Sequence, residues 1–216
     1  MSPLGILCDM YIPGNSREDQ PAVLREIIET EGFGLLTVSQ IDAAPIGVHL
    51  PFMFDPQRGP NGTLIAHLAR ANPLARAVEQ GCPALVVFQG PHGYISPAWY
   101  RDRDTVPTWN YVVVHAYGTP RVIEDAATVS AMLRRLVERY EQPRAEPWSF
   151  DEASPETMRQ LVPAIVAFEV PVDRLEGKVK LGQNRDRADR EGVIAGLRRE
   201  AGHEGERLAR WMARYR

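Results

Sequence analysis

The chain has 216 residues, of which 44% are hydrophobic and 25% are charged, and its formal charge is −3. This composition is typical of a globular protein with one sizeable core and excludes a disordered, fibrous or uniformly basic nucleic-acid-binding chain. No apolar run approaches the roughly 18–20 residues that span a bilayer, so we expect a cytoplasmic protein without a membrane partner.

The first half of the chain predicts short strands separated by turns and two helices. Pro21–Glu31 carries an apolar stripe at helical spacing, and Asn72-Pro73 opens a short helix that ends before Gly81. We expect the first two strands to form an antiparallel hairpin around a turn at Asp42–Ala44. The predicted strands are Phe33–Ser39, Pro45–Phe54, Thr63–Leu68 and Ala84–Gln89.

Gly90–Pro107 has little periodicity, so it is predicted to be a long loop of functional importance. Further strands are predicted at Trp109–Gly118 and Arg121–Glu124.

The second half begins with the clearest helix, Ala126–Glu141, in which apolar residues recur every three or four positions. A short helix follows the Ser154-Pro155 cap. Residues 184–216 have a charged helical pattern, and their glycines predict a break near Gly202–Gly205. Two more strands are predicted, at Ala164–Val170 and Leu175–Leu181.

The tally of six or seven short, mostly antiparallel strands without a βαβα rhythm predicts an α+β, mainly β fold. We expect a β-barrel with flanking helices. The chain is predicted to be one domain over residues 1–216, with residues 185–216 as a C-terminal helical extension.

Several kinds of site are absent from the sequence. Cys8 and Cys82 form no CxxC pair, and the histidines lack metal-site spacing. No GxSxG, GxGxxG or Walker A motif occurs. We therefore predict no metal site and no catalytic nucleophile. His49 and His67, within predicted strands, are interpreted either as hydrogen-bonded histidines of a pocket wall or as ligand contacts.

The segment His67–Pro73 is a strand end that turns into a helix, with Arg70 in the turn. Free backbone N–H groups and a guanidinium together make an anion site, for which phosphate is the obvious ligand. The alternative is that Asn72 only caps the helix and Arg70 is a solvated surface charge.

Residues 94–111 contain five aromatic side chains. Trp99 and Tyr100 are adjacent, so in a regular element only one of them faces the core, and the other faces a pocket, a ligand or a partner subunit. A phosphate corner together with aromatic walls suits a mononucleotide or a flavin.

Only two of the 25 basic residues are lysines, and both lie in the predicted strand Leu175–Leu181. Lys178 and Lys180 would share one strand face. They either meet an acidic ligand or protect a solvated edge strand.

Six ordered segments resemble the PaiB-like family, which is described as FMN-binding negative transcriptional regulators. The resemblance covers residues 10–187. The segments are GFGLLTVS, HLPF, GTLIAHLARANP, VVFQGPHGYISPAWY, VPTWNYVVVHAYG and KVKLGQNR.

The resemblance implies a split β-barrel similar to pyridoxamine-phosphate oxidases, in which two subunits form a homodimer and FMN lies in the groove between them. The strand under the flavin ring would be His49, Leu50 and Pro51. The residues implied for the ribityl-phosphate corner are His67, Leu68, Ala69, Arg70 and Asn72. The residues implied to line the ring, or to come from the partner subunit, are Gln89, Ser96, Trp99 and Tyr100, with Lys180 and Gln183 closing the site.

Three functions stay open: an FMN-binding negative transcriptional regulator, a flavin-dependent oxidoreductase with His92 or Tyr94 as proton donor, and a small-molecule or haem-type binding module. DNA is a possible partner, but no helix-turn-helix is visible. Residues 185–216 hold nine basic and six acidic residues. Interspersed acids of this kind are typical of a solvated helix rather than a DNA-reading one.

Overall fold

The computed structural model describes residues 9–38 and 44–215. Cys8 and most of the predicted hairpin turn lie outside this part of the chain. The α-helices of the described residues are α1 (Pro21–Thr30), α2 (Leu74–Glu79), α3 (Ala126–Glu141), α4 (Pro155–Leu161), α5 (Arg187–Glu200) and α6 (Gly202–Arg214). The strands are β1 (Arg17–Glu18), β2 (Phe33–Val38), β3 (Ile46–Pro51), β4 (Met53–Asp55), β5 (Thr63–Ala69), β6 (Ala84–Ile95), β7 (Thr108–Gly118), β8 (Arg121–Val122) and β9 (Ile165–Lys180).

Hydrogen bonds link the strands in the order β3-β2-β6-β7-β9-β5-β4, and β1 and β8 also pair with β9. The strand pairs β2–β3, β2–β6, β4–β5 and β5–β9 are antiparallel. The mainly β, mostly antiparallel class is therefore confirmed. No helix of the described residues is long and apolar enough to cross a membrane.

By their contacts the described residues form two units. The first unit takes Met1–Thr30, Gln89–His115 and Glu176–Arg216, and the second takes Glu31–Phe88 and Ala116–Leu175. Three strands, β6, β7 and β9, contribute residues to both.

In the second unit, β2 and β3 form the predicted hairpin, with Leu35 opposite His49. The predicted strand Pro45–Phe54 is nevertheless two strands. The N–H of Phe52 donates to the carbonyl of Gly32 at 2.7 Å, and β4 then pairs with β5 instead of β2. Burial of the Phe52 ring against Phe88, with centroids 5.7 Å apart, fixes the point at which the chain changes partner.

Helix α3 has the predicted bounds and covers one face of the second unit. The Asp125 side chain accepts from the N–H of Thr128 at 2.8 Å and caps the first turn. The apolar stripe of α3 buries Val129 and Met132 against strand residues. The members of this cluster are Met53, Ile65, Val129, Met132 and Ala167.

Two predicted strand boundaries are wrong. Ala164–Val170 and Leu175–Leu181 are one strand, β9, that continues through Pro171. Pro171 is tolerated because a strand needs its N–H only where a neighbour accepts it. Likewise β6 does not end at Gln89 but continues to Ile95, so the first third of the predicted loop is sheet.

In the first unit, α5 and α6 pack through Leu197 and Leu208, neither of which is exposed. The break between the two helices falls at Gly202, whose φ is +58°, as predicted from the glycines. Close packing also fixes α1: a Cβ on Gly177 of β9 would lie 2.3 Å from Leu24.

The end of the tail is attached to the first unit by polar contacts. Tyr215 donates to the Glu18 carboxylate, and burial together with that carboxylate raises the pKa of the tyrosine. Arg214 forms an ion pair with Glu26 at 2.6 Å. The C-terminal helices are therefore part of the packed unit.

Candidate functional site

Strand β5 ends at the predicted anion corner of the second unit. Leu68 is buried and Ala69 is exposed, while His67 is half-buried. Nδ1 of His67 is buried and has no hydrogen-bond partner among the described residues. Burial lowers the pKa of His67, so the ring is neutral near pH 7. Oδ1 of Asn72 accepts from the N–H of Leu74, the first residue of α2, at 2.9 Å.

The guanidinium of Arg70 holds several elements of the second unit together. It donates to the carbonyls of Pro163 and Ile165 at 3.0 and 2.9 Å, and to the Glu79 carboxylate at 3.0 Å. The side chain is still 55% exposed. A groove of about 820 Å³ opens beside Arg70, between residues of α2, β8, α3 and β9. A phosphate at this corner would have to compete with Glu79 for the guanidinium.

The hairpin residues of the predicted ring site differ in their exposure to solvent. His49 is exposed and stacks on Phe33, with ring centroids 5.7 Å apart and the planes at 24°. Leu50 is buried, and Pro51 is half-buried opposite Phe33. His49 and Phe33 therefore present a stacked pair of rings at the surface of the second unit.

In the first unit, Trp99 lies against two glycines of α5. A Cβ on Gly196 would meet the indole ring at 2.4 Å, and a Cβ on Gly192 would meet the carbonyl oxygen of Trp99 at 2.2 Å. These glycines, which the sequence suggested only as weak points of a helix, form a notch for Trp99: Gly196 receives the indole and Gly192 the backbone carbonyl. Trp99 is thus a packing residue between its loop and α5.

Tyr100 is also used for packing, because it is only 6% exposed. The guanidinium of Arg185 lies 4.4 Å from the centre of its ring and donates to Oγ1 of Thr105 at 2.7 Å. Burial raises the pKa of Tyr100. The N–H of Arg101 donates to Asp189 at 3.0 Å, which fastens the end of this loop to α5.

Both lysines have protein oxygens as partners. Lys178 is 8% exposed, and its Nζ donates to the carbonyl of Tyr11 at 2.7 Å, between the rings of Tyr11 and Tyr111. Nζ of Lys180 donates to the carbonyl of Trp109 at 2.8 Å. Lys178 is therefore not the solvated edge residue of the alternative interpretation.

The remaining predicted site residues of the first unit differ in whether their side chains form hydrogen bonds within the protein. Gln89 is exposed on β6. Oγ of Ser96 caps the short 3₁₀ turn that carries Trp99. The amide of Gln183 closes the turn after β9, since it donates to the carbonyl of Val179 and accepts from the N–H of Leu181 at 2.8 Å.

A further cluster was not predicted as a cofactor site. His92 and Tyr94 lie on β6 and Trp109 lies on β7, and we call these three side chains the aromatic shelf. Tyr94 is 49% and Trp109 is 48% exposed, and their ring centroids are 6.4 Å apart. The cluster was missed because Gly90 and the residues after it predicted a loop. The alternation of His92 and Tyr94 was the signal for a shared strand face.

The part of the chain that the structure describes contains no group of three or more His, Cys, Asp or Glu side chains arranged to hold a metal ion. Cys82 is a free, half-buried thiol.

Solved structures place the fold in the class of split β-barrels. The FAD and heme binding protein from Mycobacterium smegmatis superposes with a TM-score of 0.60 at 22% identity, covering 84% of this chain and 80% of that one. A flavocytochrome from Azotobacter vinelandii gives a TM-score of 0.61 at 18% identity, over 81% and 73%. At these identities the likeness concerns the fold alone, and it confirms the predicted split β-barrel.

The family model described as "Putative FMN-binding domain" matches residues 10–174. The chain belongs to this family, and the prediction of FMN as cofactor is confirmed at that level. Protease synthase and sporulation protein PAI 2 from Bacillus subtilis is 33% identical over 203 residues, which cover 94% of this chain and 96% of that protein. The resemblance to the PaiB-like family is thus confirmed. Lys180 and Gln183 lie beyond the residues that the family model matches.

The residues of each unit fit a flavin nucleotide chemically. The second unit offers a buried ring nitrogen on His67 without a partner, and a half-exposed arginine beside a groove. The first unit offers exposed aromatic rings on the shelf. Flavin binding needs flat apolar surface and a few placed polar groups, and each unit contains groups of these kinds.

Proposed function

We propose that this protein is an FMN-binding regulator that acts as a homodimer. The observation that carries the proposal is the match to the FMN-binding family together with the relative from Bacillus subtilis, whose name concerns protease synthesis and sporulation. In this proposal the bound flavin biases a dimer that controls gene expression, and FMN itself carries the redox chemistry that such a sensor requires.

Phosphate recognition is assigned to the corner of the second unit. His67 has an unsatisfied Nδ1, and Arg70 has the charge and the fork geometry that suit a phosphate. The Glu79 carboxylate competes with a phosphate for Arg70, because its Oε1 accepts a hydrogen bond from Nη1 of Arg70 at 3.0 Å. The other residues proposed for this part of the site are His49, Leu50, Pro51, Leu68, Ala69 and Asn72. Those proposed in the first unit are Gln89, Ser96, Lys180 and Gln183, whereas Trp99 and Tyr100, which the resemblance also implied, pack against α5 and Arg185.

DNA contact through the tail is not part of the proposal. Several arginines of α5 and α6 pair with carboxylates of the same helix, as in Arg187–Glu191 at 2.7 Å and Arg210–Glu206 at 3.0 Å. A DNA-binding face needs clustered positive charge that is not already neutralised.

The regulator proposal is tested with the full chain, because α5 and α6 carry core residues and cannot be deleted. Light scattering should give twice the mass of the chain. A gel shift with DNA from the chain's own gene neighbourhood should be selective, sensitive to salt, and unchanged in the charge-reversal variant Arg207→Glu/Arg210→Glu. A monomer that shifts no DNA would contradict the proposal, and a shift lost on charge reversal would return DNA contact to the tail.

A flavin-dependent oxidoreductase is the second candidate, and the aromatic shelf favours it. Trp109 donates its indole N–H to Nδ1 of His92 at 3.2 Å, which leaves the proton of the neutral ring on Nε2. An N–H donor beside exposed rings suits a substrate-binding surface. Oxidation of NADPH or NADH by the FMN-loaded protein, with loss of turnover in His92→Gln, would support the enzyme. An FMN-loaded protein that oxidises neither nucleotide would exclude these two as reductants.

A further inference from the structure

We propose that the aromatic shelf of the first unit, formed by His92, Tyr94 and Trp109, is the surface that binds the flavin ring of FMN. The inference rests on the proposed FMN binding and names different ring contacts from those that the sequence suggested. The aromatic residues of the segment 94–109 divide into two sets, one with packed rings and one with exposed rings.

Trp99 and Tyr100 both use their rings for packing within the first unit. The indole of Trp99 lies against Gly196 and the carbonyl oxygen of Trp99 lies against Gly192, while Tyr100 is 6% exposed beneath the guanidinium of Arg185. To contact a flavin, either residue would have to give up this packing.

Tyr94 and Trp109 lie on regular strands and still expose about half of each side chain. Large aromatic side chains are usually buried because each removes 150–250 Å² from water. Two neighbouring exposed rings form a contiguous apolar surface, which marks a binding site more often than scattered single residues do.

The polar groups of the shelf are arranged for a ligand that accepts hydrogen bonds. Trp109 and His92 stack with centroids 5.8 Å apart and planes at 29°, and the indole N–H is consumed by Nδ1 of His92. An imidazole that accepts at Nδ1 carries its proton on Nε2, and the His92 side chain is half-buried on the shelf.

Positive charge at the shelf completes the complementarity. Nζ of Lys180 is held at the edge of the shelf by Oγ1 of Thr108 at 2.7 Å and the carbonyl of Trp109 at 2.8 Å. One edge of the flavin ring system carries two carbonyl oxygens and becomes negatively charged on reduction. An N–H donor and a fixed ammonium suit that edge, whereas a purely apolar partner surface would desolvate the ammonium without a compensating negative charge.

The test is a titration of the full chain with two probes, FMN and riboflavin, which share the ring but differ in the phosphate. Trp109→Ala should weaken both probes by about tenfold or more, because stacking of a flat heteroaromatic ring on an aromatic side chain is worth an appreciable share of binding. Trp148→Ala is the matched control, since Trp148 is 42% exposed and lies in the second unit. It should leave both affinities unchanged.

Trp109→Phe supplies a second readout that a purely structural role would not change. It keeps a ring for stacking, so both affinities should stay within about threefold. Combined with Tyr94→Phe, it removes both rings of the shelf that quench flavin emission by electron transfer, so the fluorescence of the bound flavin should rise severalfold in the double variant. Unchanged emission would overturn direct contact.

The remaining outcomes separate this inference from the proposal on which it rests. A wild-type chain that binds neither probe would refute the proposed FMN binding. If the wild type binds both probes and a folded Trp109→Ala variant binds them equally well, only the shelf assignment is refuted. If the variant changes the oligomeric state in sedimentation while its flavin affinity is unchanged, the shelf is an interface between copies and the inference is overturned.

Discussion

Two pairs of aromatic residues in the first unit lie close together in sequence but have opposite roles. Trp99 and Tyr100 are fixed by α5 and by Arg185, whereas Tyr94 and Trp109 keep half of their side chains open to solvent. The difference shows that a run of aromatic residues does not by itself define a ligand wall. Which rings are free depends on which of them the neighbouring helix needs for packing.

The largest expected effect is on the free energy of unfolding, which should fall more when a packed ring is removed than when an exposed ring is removed. Trp99→Ala empties the glycine notch and should lower the free energy of unfolding by about 2–3 kcal/mol, in the range of partly buried large-to-small substitutions. Trp109→Ala removes an exposed ring and should cost less than about 1 kcal/mol. Urea denaturation of the two variants measures both values. Equal losses would show that the pairs do not differ.

A substitution at Gly196 tests the glycine notch that receives Trp99. Gly196→Ala places a Cβ at 2.4 Å from the indole of Trp99, so we expect a loss of about 1–3 kcal/mol through overpacking. Gly14→Ala is the control, because a Cβ there meets nothing within 4 Å. Chemical denaturation together with the near-ultraviolet circular dichroism of the tryptophans follows both variants. A Gly196→Ala variant with wild-type stability would mean that Trp99 moves aside easily.

The proposed phosphate site at Arg70 can be tested separately from the proposed ring surface, because only FMN has the phosphate and riboflavin does not. Arg70→Ala should weaken the binding of FMN by roughly tenfold or more, since a hydrogen bond to a charged group is worth about 1.5–3 kcal/mol. The affinity for riboflavin should stay nearly unchanged. Glu79→Gln removes the competing carboxylate and should raise the preference for FMN by several-fold. The two titrations measure the ratio of affinities. A ratio that neither substitution changes would leave Arg70 with a purely structural role.

The smallest effect concerns His67. Burial lowers its folded-state pKa below the ordinary 6.5, so the unfolded chain takes up the proton first as the pH falls. The stabilising contribution is therefore present above pH 6.5 and is lost progressively below it. Denaturation curves between pH 5 and 8 should show a shallower pH dependence in His67→Gln. His203→Gln, at a side chain that is 86% exposed, should retain the wild-type slope.

Much of the fold could be predicted because the local signals agreed with the tertiary structure. Helix α3 shows an uninterrupted apolar stripe, and α4 begins after the predicted Ser154 cap. The two large errors share a cause. Proline and glycine reduce strand propensity, yet β9 continues through Pro171 and β6 continues through Gly90 because neighbouring strands supply the pairing.

The site was predicted less well because the contacts that decide which side chains are buried join residues distant in sequence. The composition of the segment 94–109 showed that aromatic side chains are plentiful, but not which of them the tertiary structure buries. The two glycines that receive Trp99 lie more than 90 residues further along the chain. The engagement of Arg70 by Pro163 and Ile165 is equally distant in sequence. Contacts of this range have no local pattern.

Equilibrium titration of the purified full-length chain with FMN, followed by the visible absorbance of the flavin, tests the central claim most directly. The account predicts saturable uptake of one FMN per chain, a shift of the flavin bands on binding, and release of FMN on denaturation. A colourless protein that takes up no added FMN would contradict it.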